Sequence, residues 1–166
     1  MAGWKSVPME EAIKKVLISI LSLAVVLSLS HLAVGQAAPS SLDDQLLQAA
    51  KAGDAAAVRL SLANGANIET RDNKGNTALI KAAMYDKTEI VSLLLDRGAN
   101  IEAKNRTGST PLIAAAFFGN VDAVRLLLAK GANINATDMN GDTALKWAID
   151  QGFPEVASLL RSKGAH

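Results

Sequence analysis

The sequence contains no cysteine, two histidines and only 4% aromatic residues, and the first and last of these shortages already restrict the fold. Without cysteine, the chain cannot carry a disulfide framework, a thiolate metal site or a cysteine nucleophile. Because 49% of the residues are nevertheless hydrophobic, the core must be built mostly from Leu, Ala, Val and Ile. This composition favours closely packed short helices over a β-sandwich.

The shortage of histidine argues against catalysis. The two histidines are His31 and His166, and His31 falls in an N-terminal segment that we expect to be removed. With His166 alone, no Ser-His pair and no histidine-based metal cluster can be assembled. Asp72 and Asp138 occupy turn positions that recur along the chain, so a structural role is the better interpretation of these carboxylates. We therefore expect a protein that is not an enzyme and has no cofactor and no metal.

An excess of charge of either sign is also missing. The formal net charge is +1, and residues 38–166 carry equal numbers of basic and acidic side chains. A neutral body has no general attraction to nucleic acid or to anionic lipid. We expect no nucleic-acid partner, and any binding must come from a local patch.

The first 37 residues have the pattern of an export signal. Lys14 and Lys15 precede an uncharged run, VLISILSLAVVLSL at 16–29, and small residues follow. A basic flank, an apolar stretch and a small-residue exit are together typical of a secretory signal peptide. An uncleaved membrane anchor is the alternative, although the run is shorter than the about 20 residues that a bilayer requires. A buried core helix is a third interpretation, which the lack of a polar face disfavours.

Under either of the first two interpretations, the rest of the chain is exported. We expect a periplasmic protein, with inner-membrane anchoring or secretion as the alternatives. Contact with a membrane is expected only through the N-terminal segment, if it is uncleaved. The compact signal favours a bacterial source, as do repeats without insertions. Residues 38–41 (APSS) are interpreted as a linker to the folded domain, 42–166.

The folded domain repeats with a period of 33 residues. Shifting the sequence by this period aligns several columns of identical residues, among them Gly65, Gly98, Gly131 and Gly164. The period divides the domain into four units: 42–71, 72–104, 105–137 and 138–166. Each unit has two short apolar stretches and is too small to bury its own apolar faces, so it must stack on its neighbours.

Apolar spacing and turn residues predict a pair of helices in each unit. The helices with the clearest ends are predicted at Leu42–Ala52, Ala55–Ala63, Thr88–Asp96, 110–118 and Val121–Ala129. Thr77 is placed to open the first helix of its unit. Asp86 stands where other units have glycine, and Asp enters the left-handed region more easily than most residues. Ser61 and Arg161 replace leucines of the inner units, so we expect them to mark the outer faces of the stack.

The units resemble ankyrin repeats, whose consensus runs D-x-x-G-x-T-P-L-H-x-A-A, then G, a Leu-rich helix and G-A-x-I-N. The best match is Gly108-Ser109-Thr110-Pro111-Leu112, followed by Ala115, Ala116 and Gly119. The resemblance implies an all-α repeat solenoid of four stacked helix-turn-helix units, two full and two terminal caps, with short β-hairpin fingers. The family's histidine is replaced by Ile80, Ile113 and Lys146, which implies the loss of its hydrogen bond to the neighbouring unit.

The resemblance also implies a protein-binding surface on the concave face, formed by the finger tips and the exposed side of the first helices. Large and basic residues are concentrated at those positions, although the chain is otherwise poor in aromatics. The candidate binding residues are Lys74, Lys81, Met84, Tyr85, Arg106, Phe117, Phe118, Met139, Lys146 and Trp147. Packing between neighbouring units is an equally good interpretation of Phe117 or Phe118. The expected function is binding of another protein as an adaptor, or alternatively inhibition of an enzyme by the fingers, as immunity-type proteins do.

Overall fold

The computed structural model describes residues 40–166, and the predicted signal peptide and residues 38–39 of the predicted linker lie outside the described residues. Eight helices occur in the described part of the chain. They are α1 Leu42–Ala52, α2 Ala55–Ala63, α3 Ala78–Met84, α4 Thr88–Asp96, α5 Pro111–Phe117, α6 Val121–Ala129, α7 Ala144–Asp150 and α8 Pro154–Ser162.

The helices form consecutive pairs that pack in two rows. Helices α1, α3, α5 and α7 contact one another in order and form the inner row, while α2, α4, α6 and α8 form the outer row. Within each pair the inner helix also packs on its outer partner. Helices α3 and α5 each bury a run of alanines, whose small side chains let neighbouring helices approach closely. The fold is therefore a helical repeat solenoid.

Side-chain caps fix where the inner helices begin. Thr77, Thr110 and Thr143 each accept, through Oγ1, a 3.3 Å hydrogen bond from the backbone N–H three residues later. These bonds satisfy amides that have no partner within the helix. Ser41, which the sequence assigned to the linker, instead caps α1 in a reciprocal pair with Asp44.

The core lies between the two rows and consists of aliphatic side chains. The largest fully buried residues include Leu46, Leu79, Ile80, Ile90, Leu94, Leu112, Ile113, Leu127 and Leu160. Ile80 and Ile113, which stand where the family has histidine, are thus part of this core. A core of Leu, Ile, Val and Ala agrees with the composition.

The first unit departs from expectation at one position. Ser61, predicted to mark an outer face, is only 3% exposed, whereas the neighbouring Leu60 is 62% exposed. The helical phase of α2 turns position 61 towards the core and position 60 away from it. Arg161 at the other end of the stack is exposed, as predicted.

Loops join each outer helix to the next inner helix, and we call residues 71–77, 104–110 and 137–143 the fingers. Each finger is closed by a backbone hydrogen bond between its second and sixth residues, 3.0–3.1 Å in length. Single antiparallel bridges join Arg71 to Thr77 and Thr137 to Thr143, and no longer strand occurs in residues 40–166.

Carboxylates tie the loops of neighbouring units together. Glu69 accepts a 2.8 Å bond from the backbone N–H of Asn100, and Glu102 accepts the equivalent bond from Asn133. Asp43 does the same for Asn67 in the first unit. These acidic side chains therefore have a structural role.

The described residues lack two features that would indicate other classes of protein. Within 40–166, no helix combines the length and apolar character needed to cross a bilayer. Over the same range, no group of three or more His, Asp or Glu side chains is arranged to hold a metal ion.

Candidate protein-binding groove

The second residue of each finger organises the loop around it. Asp72, Asn105 and Asp138 occupy this position, and each accepts through Oδ1 the backbone N–H bonds of the residues two and four places later. These bonds are 2.8–3.0 Å long. Because a short Asp or Asn side chain readily bonds its own backbone in this way, the fingers are well-defined turns.

The same three residues face the inner helix of their own unit. The helix residue nine places later in the sequence determines whether the space between finger and helix is filled. Asp72 pairs with Lys81 at 2.8 Å, and Asp138 accepts a 3.0 Å bond from the indole Nε1 of Trp147. The equivalent residue in the third unit is Ala114, whose methyl group is too short to reach the finger. The third unit therefore has an open space where its neighbours are filled.

This space is a groove of about 330 Å³. Ile113 and Ala114 form its floor, and its lining is completed by Met84, Phe117, Phe118, Trp147, Asn105, Thr107, Ser109, Asp138 and Asn140. One wall is thus apolar and comes from the inner helices, while the other is polar and comes from the fingers. A concave apolar site edged by a few polar groups is a common form of binding site.

Three aromatic rings form the apolar wall. Phe117 packs in edge-to-face geometry with Phe118 and Trp147, whose ring centroids are 5.0 Å and 5.1 Å away. Phe117 and Trp147 are half-buried, whereas Phe118 is 47% exposed. Phe117 consequently packs between its neighbours as well as lining the groove, and Phe118 presents the free surface.

Asp138 is held ionised at the edge of the groove. Burial raises its pKa, but hydrogen bonds from the Asp142 backbone, the Trp147 indole and the Asn140 backbone, with the charge of Lys104, bring the pKa below its usual value. The carboxylate is only 8% exposed, so these donors replace the water it has lost. Trp147 is thereby fixed in position.

The fingers are joined to one another along their tips. The backbone N–H of Arg106 donates to the carbonyl of Lys74 at 3.1 Å, and that of Met139 donates to the carbonyl of Thr107 at 3.0 Å. The three tips thus form a continuous ridge above the inner helices. Met139 is 75% exposed on this ridge.

The basic residues of the surface differ in how much free charge they present. Lys81 is ion-paired with Asp72, and Lys146 with Asp150. The exposed side chains of Lys74 and Arg106 make no ion pair with any described residue. Of the basic candidate residues, only these two on the ridge therefore present an unpaired charge.

The structure brings only part of the predicted set together. Met84, Phe117, Phe118 and Trp147 line the groove. The ridge carries Lys74, Arg106 and Met139. Lys81, Lys146 and Tyr85 lie outside the groove, where the exposed ring of Tyr85 is 5.3 Å from the ammonium group of Lys51.

Sequence reasoning missed Ala114, the residue that creates the groove. It also missed Asn105 and Asp138 of the polar wall, whereas the other residues of that wall, Thr107, Ser109 and Asn140, lie in the finger tips that the resemblance assigns to the binding surface. A signal was present in the sequence, since the column Lys81, Ala114, Trp147 contains one small residue between two large ones at a position facing the fingers.

The Asp72–Lys81 pair predicts a dependence of stability on pH. Burial raises the pKa of Asp72, but hydrogen bonds from Lys81, Asn76 and Lys74 lower it by a larger amount. The net effect is a pKa lowered from 3.8 to about 2. Since the folded-state pKa is below the ordinary value, the stabilisation is complete above about pH 4 and is lost as pH falls towards 2. We expect Asp72→Asn to lower the free energy of unfolding by about 1–2 kcal/mol at pH 6 and to reduce its acid dependence. Urea unfolding between pH 6 and pH 2 measures both.

An exposed ion pair provides the control for that measurement. Asp96 pairs with Lys130 at 2.7 Å on the outer row, where both side chains are more than a third exposed. Exposed pairs contribute little, so Asp96→Asn should leave the urea midpoint nearly unchanged. Equal effects of the two substitutions would contradict the importance assigned to Asp72.

Comparison with known families agrees with the architecture. The paired short helices, the stacked fingers and the groove beside them define a helical repeat scaffold of the kind that binds other macromolecules. The family model for ankyrin repeats, in three copies, matches residues 46–138 and 107–166. The chain belongs to the ankyrin-repeat family, whose members are generally protein–protein interaction modules. No curated protein matches the chain significantly.

Proposed function

We propose that the protein is a non-catalytic interaction module that is exported to the cell envelope of a bacterium. Its four units are 42–71, 72–104, 105–137 and 138–166, and it binds a partner protein through the inner-row surface and the tips of the three fingers. Export rests on the signal-like pattern of residues 1–37, with a periplasmic location preferred over an inner-membrane anchor or secretion. Binding rests on the groove between the aromatic wall and the fingers.

The observation that carries the proposal is the exposure of large side chains along this one surface. Tyr85 is 44% exposed and Phe118 is 47% exposed, although the chain has few aromatic residues to use. Partly exposed aromatic residues beside a preformed groove are typical of the residues that dominate binding energy. Their positions on consecutive inner-row units make the surface continuous.

We expect Tyr85→Ala combined with Phe118→Ala to reduce partner capture by about tenfold or more, because aromatic anchors carry much of the energy of an interface. The measurement is crosslinking pull-down of the full chain from envelope extract, with quantitative mass spectrometry of the captured protein. Leu60→Ala is the matched control, since Leu60 is 62% exposed but lies on the outer row. Unchanged capture by the double variant would refute the proposed surface.

The second candidate function is inhibition of an enzyme by the ridge of fingers. It is favoured by Met139, which is 75% exposed on the ridge, and by the unpaired charges of Lys74 and Arg106 on the same ridge. An inhibitor would lose activity when these three residues are replaced and would tolerate Tyr85→Ala with Phe118→Ala. An adaptor would show the opposite order of sensitivity.

A further inference from the structure

We propose that the groove above Ala114 receives one apolar side chain of a partner polypeptide, and that this anchor is followed or preceded by acidic residues that contact Lys74 and Arg106. The inference rests on the proposed function, because it names the chemistry of the partner at the same surface. It adds a particular anchor site and a charge preference, neither of which follows from the fold.

The groove favours an apolar occupant because its buried polar groups already have partners. Asn105 Oδ1 accepts bonds from Thr107 and Ser109, and its Nδ2 donates to Asn76 Oδ1. The Asp138 carboxylate is likewise occupied by Trp147 and by finger amides. No buried side-chain polar atom that lines the groove lacks a hydrogen bond. A polar anchor would therefore lose water without gaining partners, which is costly.

The size of the groove suits a side chain better than a cofactor. Its volume of about 330 Å³ is at the lower end of the about 300–1,000 Å³ found for pockets that enclose whole small molecules. The open side is edged by Phe118, which is half exposed, and by the finger residue Asn140. A polypeptide lying along the surface could insert a Leu, Met or Phe between them.

The charge preference follows from which ions near the groove are neutralised within the protein. The negative charges of Asp72 and Asp150 are paired with lysines, whereas Asp138 keeps its negative charge but is only 8% exposed and is offset in part by the charge of Lys104. Arg106 stands between two residues of the polar wall, Asn105 and Thr107, and its charge is unpaired among the described residues. Lys74, whose carbonyl accepts the Arg106 N–H, adds a second free cation. Complementary charge on the partner would be attracted to this part of the ridge.

The test is selection of a library of short random peptides, displayed on phage, against the immobilised full chain. We expect the enriched peptides to share one large apolar residue with Asp or Glu close to it. Ala114→Trp should reduce the bound fraction by about tenfold or more, because it fills the anchor site. Lys74→Glu with Arg106→Glu should shift the enriched sequences from acidic to basic.

Control variants separate the effects of filling the groove and of changing the ridge charge from other effects of substitution. Lys81 and Trp147 show that this position of the inner helix accepts large side chains, so Ala114→Lys provides a second filled groove if Ala114→Trp does not fold. Arg125→Glu places half of this charge change on an exposed site of the outer row and should alter neither enrichment nor sequence preference. Circular dichroism of each variant confirms that the helices are retained.

The outcomes separate this inference from the proposed function. If the enriched peptides bind the two filled-groove variants as well as the wild type, but are lost with Tyr85→Ala, the surface binds protein and the anchor site is refuted. If the peptides show no acidic preference, the charge assignment is overturned. If nothing enriches on the wild type, the anchor site is rejected as well. Peptides insensitive to every inner-row and finger variant would overturn the proposed function too.

Discussion

Asp138→Ala is expected to lower the free energy of unfolding by about 3 kcal/mol. The substitution leaves the backbone N–H groups of Asn140 and Asp142 and the indole N–H of Trp147 without their acceptor. A donor buried without a partner costs about 1–3 kcal/mol, and the exposed Asn140 amide can recover part of its loss through water. Guanidinium chloride unfolding at pH 7, followed by circular dichroism, measures the change.

Asp138→Asn is the matched control, because Asn105 shows that an amide oxygen serves the same finger equally well. The Asn side chain keeps an acceptor for the two backbone bonds and loses the bond to Trp147, so we expect a loss of about 1 kcal/mol. The intrinsic fluorescence of Trp147 should change in both variants. An Asn variant as unstable as the Ala variant would show that the ionised charge, and not the turn geometry, determines the stability.

The fold was predictable because the same local signals occur in every unit. Helices Leu42–Ala52, Ala55–Ala63, Thr88–Asp96 and Val121–Ala129 have the predicted ends, and α5 is one residue shorter at each end because Thr110 and Phe118 are its caps. Asp86 has the predicted left-handed backbone, with φ of 53°. Glycines, threonine caps and apolar spacing act over a few residues, so they can be read without knowledge of tertiary contacts.

Burial at the ends of the stack was harder to predict. A serine in place of a leucine suggested that position 61 faces water, yet Ser61 is buried. Residue type indicates the environment only on average, whereas the helical phase of α2 fixes which side of the helix each residue occupies. The exposed Leu60 is the other consequence of the same phase.

The candidate site was only partly predictable, for a physical reason. Large side chains such as Phe118 and Trp147 are evident in the sequence. The groove, however, exists because Ala114 has only a methyl group where the neighbouring units have a large side chain. The sequence also cannot show that the charge of Lys81 is neutralised by Asp72, because that pairing depends on how the finger folds over the helix. Counting the charged residues in a sequence therefore overestimates the unpaired charge on the folded surface.

Gly108→Ala is the second substitution with a large expected effect, again about 3 kcal/mol. Gly108 has φ of 79°, where any Cβ is strained, and a Cβ built there lies 2.7 Å from the backbone N of Met139. The strain costs about 1 kcal/mol or more, and overpacking against another segment's backbone adds about 1–3 kcal/mol. The next finger would have to move away, which weakens the bond from Met139 to Thr107.

Gly141→Ala isolates the contribution of finger stacking to this loss. Gly141 occupies the equivalent position of the last finger with φ of 83°, but a Cβ there meets nothing within 4 Å. It therefore carries the backbone strain without the contact, and we expect a loss of about 1 kcal/mol. Unfolding of the two variants under identical conditions gives the difference directly. Equal losses would mean that the ridge adds no rigidity, and a ridge free to move would not hold Thr107 in place against the groove.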